Sequence, residues 1–417
     1  MRYLYTFLLL AVADMCCLHL QAQEKMLILT PACFSRCADS LKENKNDVIC
    51  AKLVCSSSES LTIKQSIDSM LGYFDADYLL ILGDYEFIPS HRIQDGLSDI
   101  YYTCDSNGFT SVPVGRFPIQ TETEFYALLR KNTAHTLAKA ITIASAEKST
   151  LTDKCDWERL REISMLLEQK HIPTTGEYFD GSQNGLDAEG NPDADDIVTA
   201  VNQGADLLLY AGHGDYTGWN TGMLTNTHLR NLYNTRYPII MAAACNNGHF
   251  AGRTCMAEAW LNQEYGAKAV IMSSSLCDWD ANLEALAYMG KHLPGQTTLG
   301  KLWLTMYQYA CDSLHRNVEA QTWMLFGDPS LCIALPAGNN IHPTKNHTLL
   351  LYPNPAQNHI HLHCDDIPAA IFVYNSAGTL IQHITPDNNH TDIDISSWPS
   401  GYYIIQTENT SAFFCKQ

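Results

Sequence analysis

The chain has 417 residues, of which 46% are hydrophobic and 17% are charged. This composition excludes a disordered chain, and the length predicts two or three domains. The 26 Lys and Arg residues against 45 Asp and Glu residues give a net charge of −19, which would repel a phosphate backbone or an anionic membrane surface. We therefore predict no nucleic-acid partner. An acidic surface suits cationic substrates or calcium, and it also suits solubility alone.

The N-terminus predicts an exported protein. An apolar run over residues 3–13 follows Met1 and Arg2, and Ala22 stands at a suitable cleavage position. We interpret residues 1–22 as a signal peptide. The run is too short to span a bilayer as a helix, and no later stretch offers about 20 uninterrupted apolar residues. No transmembrane span is therefore predicted.

The number of cysteines is high. The sequence has 15, and removal of Cys16 and Cys17 with the signal leaves an odd number. Because thiols tend to pair in an oxidising compartment, one interpretation is six disulfides and one free, functional thiol. The alternative is that several cysteines are buried and unpaired.

From residue 25 to residue 336, short apolar strands alternate with helical segments. Each strand is apolar enough to be buried on both faces, which predicts an α/β domain with a mostly parallel sheet and helices on both faces. A helix is predicted over 157–170, where apolar residues recur at helical spacing behind Asp156, a candidate N-cap. The predicted strands are 26–29, 78–82, 111–114, 140–144, 205–210, 238–244 and 269–273.

The end of the chain has a different composition. Residues 337–347 are rich in Gly, Asn, His and Pro, which predicts a linker. Residues 348–417 contain short alternating segments separated by Pro, Gly and Asn. This pattern predicts a small C-terminal β-sandwich.

Two of the predicted strands end at residues that carry chemistry. One apolar strand stops at His213, between two glycines, and another stops at Cys245, before turn residues. Because catalytic groups in open parallel sheets gather at the carboxyl ends of strands, we expect the two side chains at the same edge. A thiol–imidazole pair is the basis of cysteine nucleophilic catalysis. The backbone N–H groups of Gly214 and Cys245 would form an oxyanion hole.

Each part has a simpler interpretation when taken alone. A cysteine that ends a buried strand is often structural, and Gly-His-Gly is commonly a turn. Metal binding by His213, His228 and His249 is a competing hypothesis, but no i, i+4 or Cys-x-x-Cys spacing supports it. The combination of two strand ends with an odd cysteine count favours the catalytic interpretation.

The segments YAGHG (210–214) and ACNNG (244–248) resemble the gingipain family of secreted cysteine peptidases, distant relatives of caspases and legumain. Further similar blocks occur in the same order: LLILGDYEFIP (79–89), VGRF (114–117), IASAE (143–147) and WMLFGDPSL (323–331). The resemblance covers nearly all of residues 25–336. It implies a caspase-like peptidase domain with Cys245 as nucleophile, His213 as general acid and base, Glu147 orienting the histidine, and bound structural calcium.

The resemblance also implies residues for specificity. Asp156 resembles the carboxylate that pairs with an arginine side chain in the arginine-specific members of the family, where Trp279 and Leu283 would line the same pocket. Cleavage after Arg, or more slowly after Lys, is therefore expected. The alternative for Asp156 is a helix N-cap, which favours Asp equally.

The tail resembles the sorting domain of type IX secretion. It carries YPNPA (352–356), Gly378, IDISS (393–397), GYY (401–403) and Lys416 in the expected order. The resemblance implies type IX secretion machinery as a partner and a protein that is secreted or attached to the outer-membrane surface. Two functions remain open: an active endopeptidase, or a non-catalytic surface or binding protein on the same scaffold.

Overall fold

The computed structural model describes residues 23–94, 96–181, 191–336, 349–364, 370–375, 379–386, 388–407 and 411–417. The predicted signal peptide, 1–22, and the predicted linker, 337–347, lie outside these residues. The chain divides into two compact units between Pro336 and Ala337.

The first unit contains a ten-stranded sheet. Its strands are β1 (Lys25–Pro31), β2 (Ile49–Cys55), β3 (Tyr78–Leu82), β4 (Val114–Phe117), β5 (Ala140–Ala144), β6 (Thr174–Phe179), β7 (Leu207–Ala211), β8 (Ile239–Ala243), β9 (Ala269–Ser273) and β10 (Trp323–Phe326). The strand order in the sheet is β2-β1-β3-β4-β10-β9-β8-β7-β5-β6. Neighbouring strands are parallel except β9 and β10, which are antiparallel, so two parallel halves meet at this pair.

Helices cover both faces of this sheet. Consecutive strand residues alternate between two hydrophobic cores, as Leu27 and Leu29 lie in one core and Met26 and Ile28 in the other. The helices are α1 (Ser35–Asn44), α2 (Ser60–Phe74), α3 (Glu122–Lys131), α4 (Asp156–Glu168), α5 (Ala194–Asn202), α6 (Met256–Leu261), α7 (Trp279–His292), α8 (Leu299–Asp312) and α9 (Asn317–Ala320). The first core takes residues from α2, α4, α7, α8 and α9, and the second from α1, α3, α5 and α6.

Short elements complete the first unit. One small sheet joins Gln296–Thr298, Cys332–Ala334 and His135–Thr136, and a hairpin pairs His91–Ile93 with Gly96–Ser98. Single 3₁₀ turns occur at Ala32–Phe34, Ile100–Tyr102, Thr221–Met223 and His228–Asn231. In the part of the chain that the structure describes, no helix combines the length and apolar character needed to cross a membrane.

The predicted α/β class is confirmed, and most predicted strands occur within a few residues of their expected bounds. The strand expected at 111–114 is wrong in position, since the observed strand is β4, Val114–Phe117. It begins after Pro113 because the proline nitrogen has no N–H to donate to a neighbouring strand. Three strands, β2, β6 and β10, were not predicted. The two that lie at the sheet edges, β2 and β6, carry polar residues and show no continuous apolar run.

The second unit consists of two antiparallel sheets. One contains β11 (Leu349–Tyr352), β12 (His359–Cys364) and β15 (His390–Asp394), and the other β13 (Ile371–Asn375), β14 (Leu380–Ile384), β16 (Gly401–Gln406) and β17 (Ser411–Lys416). Residues of both sheets, including Ile360 and Ile405, are fully buried in one shared core. This arrangement is the predicted β-sandwich.

The twelve cysteines whose side chains the structure describes are free thiols. This differs from the interpretation with six disulfides and agrees with the alternative of unpaired cysteines, several of them buried. Several belong to the hydrophobic cores, where a thiol packs as a small apolar group. The free cysteines are Cys33, Cys37, Cys50, Cys55, Cys104, Cys155, Cys245, Cys255, Cys277, Cys311, Cys332 and Cys415.

Candidate active site

The candidate site lies where two neighbouring parallel strands end. Strands β7 and β8 pair with Ala211 opposite Ala243. His213 and Cys245 each follow the paired alanine by two residues, so the register of the strands brings both loops to one edge of the sheet. The structure therefore brings together the two residues that sequence reasoning paired.

The loops that carry His213 and Cys245 are joined by a buried amide. Asn247 is fully buried, and its Nδ2 donates to the carbonyl oxygens of Asp215 and Gly218 over 2.5 and 3.2 Å. Its Oδ1 accepts a hydrogen bond of 2.7 Å from the indole of Trp219. Asn247 thus fixes the cysteine loop against the histidine loop. Sequence reasoning did not assign it a role, although it follows the cysteine by only two residues.

The histidine loop is also held by its own backbone. The carbonyl oxygen of His213 accepts hydrogen bonds from the hydroxyl of Tyr210 and the N–H of Asn220, at 2.5 and 3.0 Å. The ring of Tyr210 stacks on Trp219 with 4.3 Å between centroids. These contacts leave the imidazole of His213 about half exposed at the sheet edge.

The expected oxyanion hole has two available donors. Among the residues that the structure describes, the N–H groups of Gly214 and Cys245 have no hydrogen-bond acceptor. A side chain at Gly214 would place its Cβ 3.0 Å from both the Cβ of Ala244 and the Nδ2 of Asn247. Glycine therefore favours the close approach of the two loops, because a larger residue would force its neighbours to shift.

Glu147 lies beside the histidine. Strands β5 and β7 pair with Ala144 opposite Ala211, and Glu147 follows three residues later. Its Oε1 is 4.0 Å from the Nε2 of His213, and both side chains are more than half exposed. This separation is longer than a hydrogen bond. The structure places Glu147 close enough to orient the imidazole after a small movement, and that role stays a prediction.

The thiol of Cys245 is half-buried beside a second cysteine. Its Sγ lies 3.9 Å from the Sγ of Cys277, and the N–H of Cys277 donates to it over 3.5 Å. The hydrogen bond from the Cys277 thiol is the main reason that the pKa of Cys245 falls to about 6; burial opposes this change, while the Cys277 N–H and the nearby His213 support it. A thiolate is therefore favoured at Cys245.

Cys277 was missed by sequence reasoning. It follows strand β9, which pairs with β8, so its position at the same sheet edge was the available signal. The loops of the two cysteines are also tied by backbone hydrogen bonds, from Asn246 N–H to the Ser275 carbonyl at 2.9 Å and from Gly248 N–H to the Ser273 carbonyl at 2.8 Å.

Asp156 is not a helix cap. Helix α4 begins at Asp156, and the capping position belongs to Cys155, whose N–H donates to Glu158 over 2.7 Å. The interpretation of Asp156 as N-cap is therefore wrong, because its side chain turns to Ser145, whose hydroxyl donates to it at 2.6 Å. Its backbone N–H donates to the carbonyl of Glu147 at 3.0 Å, which places it beside the candidate site. Burial raises the pKa of Asp156, although Ser145 and Arg159 oppose that change.

The other two predicted pocket residues belong to helix α7. The side chain of Trp279 lies outside the part of the chain that the structure describes. The side chain of Leu283 is only 1% exposed and packs in the hydrophobic core. The structure therefore does not bring Leu283 to an open surface, and its contact with substrate stays a prediction.

The metal-binding hypothesis has no structural support in the described ranges. His228 accepts at Nδ1 from the N–H of Thr225 over 3.1 Å, and His249 packs edge-on against Tyr216. No group of three or more His, Cys, Asp or Glu side chains in the described ranges could hold a metal ion. His213, His228 and His249 therefore form no such group.

The mostly parallel sheet and the two paired loops define an α/β protein with a candidate thiol–imidazole site, and comparison with known families identifies its family. Residues 19–334 match the model of peptidase family C25, and the chain belongs to this family. Residues 350–417 match the secretion system C-terminal sorting domain, the type IX sorting domain, which indicates a secreted or outer-membrane surface protein.

Curated relatives are gingipains from Porphyromonas gingivalis. Gingipain R1 is 26% identical over 303 residues, which is 65% of this chain and 29% of that protein. Gingipain R2 of strain W83 is also 26% identical over 303 residues, covering 65% of this chain and 39% of that protein. The chain thus spans less than half of the length of these relatives.

Solved structures share the fold. The crystal structure of the Arg-specific cysteine proteinase gingipain R superposes with a TM-score of 0.66 at 20% identity, covering 96% of this chain and 99% of that one. The complex of the pro- and mature domains of P. gingivalis RgpB gives the same TM-score and identity, covering 94% and 99%. The expected gingipain-like fold is confirmed.

Proposed function

We propose that the protein is a secreted cysteine endopeptidase that cleaves peptide bonds after Arg through a thioester acyl-enzyme. The observation that carries this proposal is the strand register that places His213 and Cys245 in adjacent loops of one sheet edge. Membership of peptidase family C25 supports it. The relatives named gingipain R support the arginine preference.

The first half of the reaction forms the acyl-enzyme. The Cys245 thiolate attacks the carbonyl carbon of the scissile bond, and negative charge develops on the carbonyl oxygen. The N–H groups of Gly214 and Cys245 donate to that oxygen. His213, as imidazolium, gives its proton to the leaving amine, and the C–N bond breaks to leave a thioester on Cys245.

The second half releases the acid product. Neutral His213 takes a proton from a water molecule, and the hydroxide attacks the thioester carbon. The C–S bond then breaks, which restores the Cys245 thiolate and the imidazolium. Glu147, whose Oε1 lies 4.0 Å from the Nε2 of His213, stabilises the charged imidazolium and its orientation.

A buried carboxylate supports the arginine preference. Asp156 is 3% exposed and accepts a hydrogen bond from Ser145, and it lies next to Glu147 in the candidate site. A substrate guanidinium would bind such a carboxylate through two charge-assisted hydrogen bonds. Arg therefore fits better than Lys, whose ammonium forms only a point contact.

Calcium is proposed from the family resemblance alone, as a structural ion. The described residues contain no cluster of three or more acidic, His or Cys side chains that fits such a site. No step of the reaction is therefore assigned to calcium. Thermal unfolding of the purified chain with and without a calcium chelator tests this part of the proposal.

Export is proposed in two stages. A signal peptide over residues 1–22 would direct the chain across the inner membrane, and the sorting domain at 350–417 would engage the type IX secretion machinery. Detection of the mature N-terminus near residue 23 on the cell surface or in the medium tests both stages.

The central experiment uses the purified full chain. Peptides that differ only at the residue before the scissile bond are expected to be cleaved after Arg, more slowly after Lys, and not after neutral residues. The matched control is the Cys245→Ala variant. Equal activity of this variant and the wild type, or no cleavage by either, favours the second hypothesis, a non-catalytic surface or binding protein.

A further inference from the structure

The candidate nucleophile has a second cysteine as its neighbour. Cys277 lies between strand β9 and helix α7, in a segment without regular structure, and its sulfur is 3.9 Å from that of Cys245. The neighbouring Leu276 is 69% exposed, so this segment is at the surface. None of the steps proposed for catalysis requires a thiol at position 277.

We propose that Cys277 is the resolving cysteine of a reversible oxidative modification, in which a Cys245–Cys277 disulfide blocks the nucleophile. The loss of activity that follows rests on the proposed peptidase function, but the formation of the bond does not. The oxidant is a peroxide, such as hydrogen peroxide.

The chemistry balances in two steps. The Cys245 thiolate attacks one oxygen of hydrogen peroxide, the O–O bond breaks, and sulfenic acid forms with release of hydroxide. The Cys277 thiolate, formed as its proton passes to the leaving oxygen, then attacks the sulfenic sulfur. The S–O bond breaks, water leaves, and the disulfide forms. Hydrogen peroxide is reduced to hydroxide and water, and the two thiols are oxidised to the disulfide.

The geometry assigns different roles to the two sulfurs. The N–H of Cys277 donates to the sulfur of Cys245, whereas either sulfur can be the donor in the contact between the two thiols. The N–H donor favours Cys245 as the thiolate and Cys277 as the thiol. The opposite pKa changes of the two groups agree with these roles, since hydrogen bonding lowers that of Cys245 and, with burial, raises that of Cys277. Peroxide therefore reacts first at Cys245, and Cys277 resolves the product.

Bond formation requires only a local movement. A disulfide needs a sulfur–sulfur distance of about 2.05 Å, so the sulfurs must approach by about 2 Å. Rotation of the two side chains, with adjustment of residues 276–278, which lie outside the helices and strands, would supply this approach. A fast resolving step also protects Cys245 from further oxidation to the irreversible sulfinic acid.

The test is direct mapping of the bond. The reduced, purified full chain is treated with hydrogen peroxide, remaining thiols are blocked, and the protein is digested with trypsin without reduction. Cleavage after Arg236, Arg253, Lys268 and Lys291 yields peptides 237–253 and 269–291, each with a single cysteine. We expect these two peptides to be linked, with the loss of two hydrogens, and to separate with dithiothreitol.

Two variants make the test specific. In Cys277→Ser, peroxide should carry Cys245 to the sulfinic acid, with a gain of two oxygens that dithiothreitol does not remove. In Cys33→Ser, which removes an exposed cysteine of another element, the link should form and reverse as in the wild type. Peptide cleavage, measured in parallel, should fall with link formation and recover on reduction only where Cys277 is present.

The outcomes separate the two proposals. An active wild-type enzyme that peroxide inactivates while Cys245 and Cys277 stay unlinked overturns this inference and leaves the peptidase function intact. Equal recovery of Cys277→Ser and the wild type overturns it as well. A reversible link in a protein that cleaves none of the peptides supports the modification and refutes the peptidase function.

Discussion

At the scale of single residues, the thiol of Cys245, the imidazole of His213 and the carboxylate of Glu147 follow neighbouring strands at one edge of the sheet. Cys245 is stabilised as a thiolate by Cys277, whereas Glu147 and His213 are exposed and 4.0 Å apart. A pair of this kind acts as a unit, because the nucleophile and the proton carrier serve the same transition state. Three predictions concern these residues.

Replacement of Cys245 by Ala should reduce kcat/KM on an arginine peptide by about 10³-fold or more, and His213→Ala should do nearly the same. The double variant should lose little more, since either change already removes the reaction. Glu147→Ala should reduce kcat/KM by a smaller factor, because the Glu147 carboxylate acts only by supporting the imidazole. Steady-state kinetics measure these effects, with Cys33→Ser as the control. Additive losses in the double variant would contradict the joint action of the pair.

Replacement of Asp156 by Asn should reduce the preference for Arg over a neutral residue by about 10²-fold, which corresponds to about 2–3 kcal/mol for a charged hydrogen-bonded partner. The amide oxygen can still accept the hydrogen bond from Ser145. Glu158→Gln is the matched control, because it removes one charge from the same helical turn. Competition between peptides measures the preference, and an unchanged preference in Asp156→Asn would refute the specificity role.

Replacement of Cys277 by Ala should raise the pKa of Cys245, because it removes the thiol that donates to the thiolate. The thiolate persists above its pKa, so the acid limb of activity should move to higher pH. The pH dependence of alkylation of Cys245 reports the same change. Cys277→Ser retains a donor and should remain close to the wild type. Identical pH profiles for Cys277→Ala and the wild type would contradict this assignment.

At the scale of secondary-structure elements, the ends of parallel strands place the candidate residues at one edge of the sheet, and contacts between the loops fix their positions. Strands β5, β7, β8 and β9 are neighbours, and their ends carry Glu147, His213, Cys245 and Cys277 in the same order. The buried Asn247 connects two of these ends through three hydrogen bonds. The spacing between nucleophile and histidine therefore depends on a residue that touches neither substrate nor proton.

Replacement of Asn247 by Ala should lower the free energy of unfolding by about 1–3 kcal/mol, because it leaves buried polar groups without partners. It should also reduce kcat by about tenfold or more through the misplaced cysteine loop. Urea unfolding and steady-state kinetics measure the two effects. The exposed Asn44→Ala should change stability by less than about 0.5 kcal/mol. Wild-type kcat in Asn247→Ala would show that the loops keep their spacing without the amide.

At the scale of the whole molecule, each of the two units has a core of its own. The cores of the first unit contain residues between Met26 and Ile333, and the core of the second lies between Ala356 and Phe414. A unit with a separate core folds independently of its neighbour. The match to a sorting domain assigns the second unit to export rather than to chemistry.

Deletion of residues 337–417 should therefore leave kcat/KM of the purified remainder within about twofold of the full chain. The same deletion should remove the protein from the cell surface and the medium. Peptide cleavage by purified protein and immunoblots of cell fractions measure the two effects. A large loss of kcat/KM in a folded, truncated chain would show that the second unit contributes to the site.

The sequence by itself determined the α/β class, the β-sandwich, and the pairing of His213 with Cys245, because buried strands appear as apolar runs and active residues follow their ends. The edge strands β2 and β6 were not predicted, since both carry polar residues and show no continuous apolar run. Only the tertiary structure decided that Cys277 lies against Cys245, that Asn247 joins the loops of Cys245 and His213, and that Cys155 rather than Asp156 caps helix α4. These are contacts between segments distant in sequence, or choices of side-chain direction, and they depend on packing that no local pattern records.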